Sequence, residues 1–201
     1  MSLTVDYYFA PQSPWSYLGH QRFWDIARAH DARVRVLPVD LGGKVFPVSG
    51  GLPLAKRAPQ RQAYRLVELK RFSALLHAPL NLQPKFFPVS GDDASCLIIA
   101  VDMKDGEEAA MRLTLHVMRA VWAEERNIAD ERTLAELLAE ADLSAARIED
   151  AHSQAVRERY EADTQMAIDN GVFGAPSYVI DGEIYWGQDR LDFVERRLAQ
   201  G

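Results

Sequence analysis

The residues best suited to chemistry open what reads as the first helix. Ser13-Pro14-Trp15-Ser16 follows a short strand-like segment, and Pro14 fits a first helical turn. Ser13 then stands where free backbone N–H groups and the positive end of the helix dipole favour an anion. Two roles suit it: a plain N-cap, or a hydroxyl donating a hydrogen bond to a bound thiolate and so favouring ionisation of that thiol. The chain has one cysteine, Cys96, so an internal disulfide and dithiol exchange are excluded, and sulfur chemistry needs a thiol supplied from outside. A second cluster, Phe173-Gly174-Ala175-Pro176-Ser177, leads into an apolar run, where Pro176 is either a strand-entry proline or a cis-proline.

The elements that must position these groups lie at the two ends of the chain. Leu3 to Phe9 alternates Val5, Tyr7 and Phe9 with Thr4, Asp6 and Tyr8, the two-residue period of a strand. Tyr17, Leu18, Gln21, Trp24 and Ala27 then recur at helical spacing to about His30, and Arg33 to Val39 gives a second strand. A right-handed crossover makes those two strands parallel. Near the other end, Ser177-Tyr178-Val179-Ile180 and Glu183-Ile184-Tyr185-Trp186 flank Asp181-Gly182, a two-residue hairpin signal. A last helix follows, with Asp189 as its expected cap and Leu191, Phe193, Val194 and Leu198 as its apolar contacts. Between these ends, 60–76, 93–103, 107–125, 131–141 and 145–170 read as helices. The expected architecture is therefore α/β: one mixed sheet built from both chain termini (1–45 and 171–201), with an all-helical subdomain, 46–170, inserted between them.

Composition removes several functions. With 48% hydrophobic and 26% charged residues over 201, the chain is an ordinary globular protein, and no apolar run is long enough to cross a bilayer. The stretch Met1 to Phe9 carries Asp6 and no basic cluster, so a cytoplasmic location is expected. A net charge of −6 without a basic, aromatic-interleaved stripe speaks against nucleic acid as a partner. His20, His30, His77, His116 and His152 are scattered without ligand spacing, which predicts no metal site. There is no G-x-S-x-G, Walker-type loop or G-x-G-x-x-G. Cys96, inside Cys96-Leu97-Ile98-Ile99, reads as a buried, inert thiol. Trp15, Tyr17, Tyr64 and Trp186 serve either as walls of an aromatic pocket or as core.

A strand, a short loop and Ser13-Pro14-Trp15-Ser16 occupy the place where thioredoxin-like proteins keep a C-x-x-C pair, here with serine at both cysteine positions. Taken with Gly171-Val172-Phe173-Gly174-Ala175-Pro176 and Trp186-Gly187-Gln188-Asp189-Arg190-Leu191, the chain resembles, over nearly its whole length, the 2-hydroxychromene-2-carboxylate isomerases and their kappa-class glutathione transferase relatives. The resemblance implies a thioredoxin-like fold with an inserted helical subdomain, glutathione as cofactor, and a homodimer. It makes Ser13 the catalytic serine beside the glutathione sulfur. Ala175 becomes the residue whose backbone pairs with the glutathione cysteine, Pro176 the cis-proline, and Gln188 with Asp189 the pair holding the γ-glutamyl end. Two positions depart from the family pattern: Gly51 stands where asparagine is frequent, and Arg61, which the resemblance places among the glutathione-binding residues, where lysine is expected, keeping the charge and able to grip a carboxylate with two hydrogen bonds.

The activity so implied is glutathione-dependent cis-trans isomerisation of a small aromatic carboxylate such as 2-hydroxychromene-2-carboxylate to the trans-benzylidenepyruvate, through reversible thiol addition. Lys44, Lys56, Arg57 and Arg61 are the basic residues from which a substrate carboxylate contact is expected. The alternatives are a kappa-type glutathione transferase or peroxidase, and a non-catalytic glutathione-binding module, the latter encouraged by Gly51.

Overall fold

The structure, a computed structural model, describes residues 2–201. Strand β1 (Thr4–Phe9), helix α1 (Pro14–Ala29) and strand β2 (Arg33–Pro38) form the opening unit, and β1 pairs with β2 in parallel. Helices α2 (Phe46–Ser49), α3 (Pro59–Leu75), α4 (Asp92–Asp105), α5 (Glu107–Trp122), α6 (Glu131–Glu140), α7 (Arg147–Ala151) and α8 (Gln154–Asp169) follow. The chain then returns as β3 (Ser177–Ile180) and β4 (Glu183–Trp186) and ends in α9 (Leu191–Leu198). The sheet order is β2-β1-β3-β4, with β3 antiparallel to β1 and to β4. Asp181 and Gly182 both adopt positive φ, 51° and 83°, as a two-residue turn matched to strand twist requires. No helix among the described residues is long and apolar enough to cross a membrane.

Both faces of β1 are buried, which the alternating pattern did not foretell. Val5, Tyr7 and Phe9 pack with Phe23 of α1, Leu97 of α4 and Met111 of α5. Tyr8, on the opposite face, joins Leu37, Val39, Ala167, Val172 and Val179 beneath α8. Tyr8 is kept there by its polar tip, because Asn170 Nδ2 donates to its hydroxyl at 3.0 Å. On the first face Tyr7 stacks on Phe9 at 4.6 Å and on Tyr178 of β3 at 5.4 Å, and meets Phe23 at 4.7 Å with the rings tilted by 44°. Such pairs add about 0.5–1.5 kcal/mol each beyond area burial.

Three local readings are corrected. The segment read as one helix over 145–170 is two, because Ser153 caps a fresh start: its Oγ accepts the Val156 N–H at 3.4 Å. Asp189 does not cap α9; it lies inside a 3-10 turn, Gln188–Arg190, and Arg190 takes the cap position without a side-chain bond. Phe193, expected in the core, is 53% exposed, since α9 turns Leu191, Val194 and Leu198 inward and leaves position 193 outside that stripe.

His20, fully buried in α1, ties the layers together. A carbonyl only accepts, so Nε2 carries the proton donated to Met111 O at 2.9 Å, and Nδ1 accepts from the Tyr7 hydroxyl at 3.1 Å. Burial holds the imidazole pKa down to about 4, against a backbone hydrogen bond that raises it. The unfolded chain therefore binds a proton at this position from about pH 6.5 downward while the folded chain refuses it until about pH 4. Stability from this group is complete above pH 6.5 and declines as pH falls, by on the order of 3 kcal/mol at most. Melting of wild type and His20→Gln across pH 7.5 to 4 checks this: wild type should lose stability more steeply, and parallel curves would refute it.

Candidate functional site

The β1–β3 register builds the site. Asp6, Tyr7 and Tyr8 face Val179, Tyr178 and Ser177. The ladder stops at Tyr8–Ser177, so Pro176 and Ala175 come just before the first paired residue of β3. Ser13 follows β1 by one short loop, and its N–H donates to Ala10 O at 2.9 Å. Ser13 and the Ala175–Pro176 pair thus belong to the end of the sheet where β1 finishes, and the Ala175–Pro176 bond is cis.

Ser13 does cap α1. It is extended (φ −80°, ψ 124°), and its Oγ accepts the Ser16 N–H at 3.2 Å. A hydroxyl that accepts still has its own proton to give, and among the described residues that proton has no partner. The Trp15 N–H is free as well, being in the first turn with no backbone or side-chain acceptor. Ser16 is fully buried and its Oγ is unpaired, as is the buried Gln12 Oε1. Gln12 presses against Gly91, where a Cβ would lie 2.1 Å from that oxygen, so the loop leading into α4 closes over this end of α1 only because residue 91 lacks a side chain.

Opposite, Ala175 is 9% exposed, and neither its N–H nor its C=O has a hydrogen-bond partner among the described residues. Its neighbours are fixed: Ser177 Oγ donates to Gly174 O at 2.8 Å, and the Gly187 N–H donates to Pro176 O at 2.9 Å. The result is a backbone segment tied on both sides whose own donor and acceptor are unused.

Gln188 and Asp189 sit one step further along α1. Gln188 is 2% exposed and accepts from Arg22 Nη1 through both its O and Oε1, each at 3.3 Å. It packs on Gly19, where a Cβ would meet Gln188 Cβ at 2.7 Å and the Tyr178 hydroxyl at 3.0 Å. That hydroxyl is buried and unpaired, and burial above all raises its pKa, so it is a neutral group. Asp189 is half-exposed, 3.7 Å from Arg190. Arg61 stands apart, exposed on the first turn of α3 and in contact with none of these residues. The helix that carries it nevertheless passes the site, because Phe72 meets Trp15 edge-on at 6.0 Å.

Of the four aromatic residues considered as pocket walls, Trp15 is partly buried on Phe72, and Tyr17 is held in the core by donating to Pro79 O at 2.7 Å. Tyr64 and Trp186 are 58% and 51% exposed. Cys96 lines a separate cavity of about 150 Å³ with Leu134, His152 and Arg157. Burial, then Asp93 and Asp92, raise its thiol pKa and keep it protonated, in line with the inert role expected of it. No group of residues able to hold a metal ion occurs among the described residues.

The comparisons with known proteins fit this geometry. Residues 4–199 match the family model of the DSBA-like thioredoxin domain. A 2-hydroxychromene-2-carboxylate isomerase from Pseudomonas sp. (strain C18) is 31% identical over 201 residues, covering 97% of this chain and 90% of the relative. A solved 2-hydroxychromene-2-carboxylate isomerase superposes with a TM-score of 0.82 at 28% identity, covering 98% of this chain and 95% of the other. The chain belongs to the DSBA-like thioredoxin-domain family, among the 2-hydroxychromene-2-carboxylate isomerases. Membership makes it an enzyme of an isomerase family on a thioredoxin-like fold, as the motifs implied. The cytosolic disulfide reductase DsbM from Pseudomonas aeruginosa, solved with GSH, shares the fold, with a TM-score of 0.69 at 19% identity over 98% of this chain and 100% of that one.

Sequence reading passed over Gln12 and Arg65. Gln12 gave no signal, since its environment is made by Gly91, far along the chain. Arg65 had one: Arg57, Arg61 and Arg65 recur every four residues ahead of Phe72. The departure at Gly51 has a local cause, for a Cβ there would lie 2.1 Å from the Phe46 ring, so the ring fills the space a side chain at 51 would need.

Two outcomes follow from these close approaches. Gly19→Ala must displace the Gln188 turn and should cost about 1–3 kcal/mol in denaturant unfolding; a change within error would mean the turn moves freely. Gly51→Asn should be destabilising in the native chain and markedly less so beside Phe46→Ala, a coupling of roughly 1 kcal/mol or more in a double-mutant cycle. Additive effects would show that the ring does not exclude the side chain.

Proposed function

We propose that this chain is a glutathione-dependent cis-trans isomerase acting on 2-hydroxychromene-2-carboxylate or a close aromatic keto-acid. The observation that carries the proposal is the set of unpaired polar groups at the end of the sheet where β1 finishes: the Ser13 hydroxyl proton, the Trp15 N–H, and both backbone groups of Ala175. Groups that no protein partner uses are available to a ligand with complementary ones.

The residues suit the tripeptide by their own chemistry. Ala175, two residues before β3, offers an unused backbone donor and acceptor, which a peptide backbone complements. Ser13 and the Trp15 N–H offer hydrogen bonds to a sulfur anion at the positive end of α1. Asp189 supplies a carboxylate, and Gln188, whose Oε1 is engaged by Arg22, keeps its amide donors for an α-amino acid end. Arg61 gives a guanidinium for a carboxylate at the other end. When bound, glutathione supplies the thiol whose reversible addition to the conjugated double bond allows rotation. Ser13 and α1 lower the cost of holding that thiol ionised, and the rigid Ala175–Pro176 edge holds the sulfur end in register. Both serine positions lack a thiol, so no protein disulfide competes. The same reading takes the protein to act as a homodimer in the cytoplasm, where glutathione is abundant, with 46–170 as an inserted helical subdomain.

Isomerisation should require glutathione and, by the cost of losing a donor to an anion, should fall by roughly tenfold to a thousandfold in Ser13→Ala. Ser13→Asp separates capping from catalysis, since it keeps the N-cap, and hence stability, while placing a negative charge where the sulfur anion must sit. Activity independent of glutathione, or retained in Ser13→Asp, would refute the proposal.

A further inference from the structure

Helix α3 leaves Arg61, Lys70 and Arg71 exposed but draws Arg65 inward. Arg61, Arg65, Leu69 and Phe72 lie on one stripe (i, i+4, i+8, i+11), and its other end is the body-facing one: Leu69 is fully buried and Phe72 meets Trp15. Arg65 is drawn in along that stripe. Its guanidinium lies over the Phe87 ring at 5.4 Å and the Trp122 ring at 5.6 Å, two rings 4.8 Å apart. Burial first, and the charge of Arg57 second, lower its pKa to about 10, so it is desolvated but still cationic at neutral pH. Arg57, lowered by burial and by Arg61, donates to Leu52 O at 2.8 Å and meets no acid.

Among the described residues Arg65 makes no hydrogen bond and no ion pair, although the chain carries 29 acidic residues and a net charge of −6. Nor are its nitrogens among the sealed, unpaired atoms, so they retain access to solvent. The buried Trp122 Nε1 is sealed and unpaired beside it. Leaving a desolvated cation without a counter-ion is costly, and stacking on two rings returns only part of that cost. The two rings also restrict where the guanidinium can sit, and its N–H groups, engaged by nothing else among the described residues, are free to grip a carboxylate with two bonds. The subsite lies on the helix that meets the start of α1: Arg65 is seven residues, about 10 Å of helix, from Phe72, which touches Trp15 beside Ser13.

We propose that Arg65, held by Phe87 and Trp122 and backed by the charge of Arg57, binds the carboxylate of the aromatic keto-acid. The inference rests on the isomerase reading and selects a residue outside the four basic candidates that sequence offered. Glutathione also carries carboxylates, so the test separates the two sources. Arg65→Met and Arg65→Lys are compared with wild type, with glutathione saturating. The measured quantities are KM for 2-hydroxychromene-2-carboxylate, Kd by calorimetry for the trans-benzylidenepyruvate product and for its uncharged methyl-ketone counterpart, and Kd for glutathione. Arg65→Met should raise the KM and the product Kd by roughly tenfold to a hundredfold, leave the ketone and glutathione constants within about twofold, and be only partly rescued in Arg65→Lys, which keeps the charge and loses the fork. An unchanged product Kd in Arg65→Met, equal losses for acid and ketone, or a parallel loss of glutathione affinity would each overturn the subsite. Should wild type bind the acid through Arg65 yet fail to isomerise it, the reaction would fall and the subsite stand; wild type that does not bind the acid removes the subsite.

Discussion

The pairing of β1 with β3 is the contact on which the rest depends. It joins segments roughly 170 positions apart in the chain, so its loop-closure cost comes before any of its reward. The reward is aromatic. Tyr7 lies flat against Tyr178 across the two strands, with interplanar angle 5°, and Phe23 of α1 leans on both rings. His20 then anchors the Tyr7 hydroxyl to α5 through Met111. A polar bridge placed inside an apolar stack has only one well-satisfied arrangement, so it selects a register as well as adding energy. That register matters functionally, because a one-residue slip would turn Tyr178 to the wrong face and carry Ala175 away from the start of α1.

Once the register is set, glycines decide how closely the remaining parts can approach. Gly19 lets the Gln188 turn rest directly on α1, Gly174 leaves room for the Trp186 indole, with 2.3 Å between a would-be Cβ and Nε1, and Gly91 admits Gln12. Each is a contact between distant segments, and each borders the Ser13–Ala175 end of the sheet or the turn beside it. The site is therefore shaped by backbones brought close, with few side chains committed. This leaves main-chain donors and acceptors exposed to whatever binds there.

What the sequence disclosed and what it hid divide along the same line. The strands, the hairpin at Asp181-Gly182 and the start of α1 were legible because each is encoded within a few neighbouring residues, by period or by turn chemistry. Ser13, Ala175, Pro176, Gln188 and Asp189 were legible through motif resemblance, and the Ala175–Pro176 bond is cis, as that resemblance implied. The break before α8 was also encoded locally, in Ser153, but a single serine in a polar stretch is a weak signal beside a continuing helical period. Asp189 misled for a related reason: it is a good cap residue one position too early, because the chain enters α9 through a 3-10 turn. The burial of Tyr8 came from α8 covering the second face of the sheet, and Phe46 filling the space beside Gly51 from a local loop fold. Neither is visible to a window sliding along the chain.

The distribution of unsatisfied groups draws these strands together. Among the described residues, the buried side-chain atoms without a hydrogen-bond partner are Gln12 Oε1, Ser16 Oγ, Trp122 Nε1 and the Tyr178 hydroxyl. Each orphaned group costs on the order of 1–3 kcal/mol, and a fold of this size has no general reason to gather such costs in one region. Yet two flank Ser13, one lies under the Gln188 turn at Gly19, and one adjoins the guanidinium of Arg65. An apolar residue at position 16 would relieve one of these costs without disturbing the N-cap bond, which uses the Ser16 backbone rather than its hydroxyl. Pre-organised, poorly solvated polar groups such as the two beside Ser13 are what a site needs if it is to hold a charged ligand without first having to rearrange.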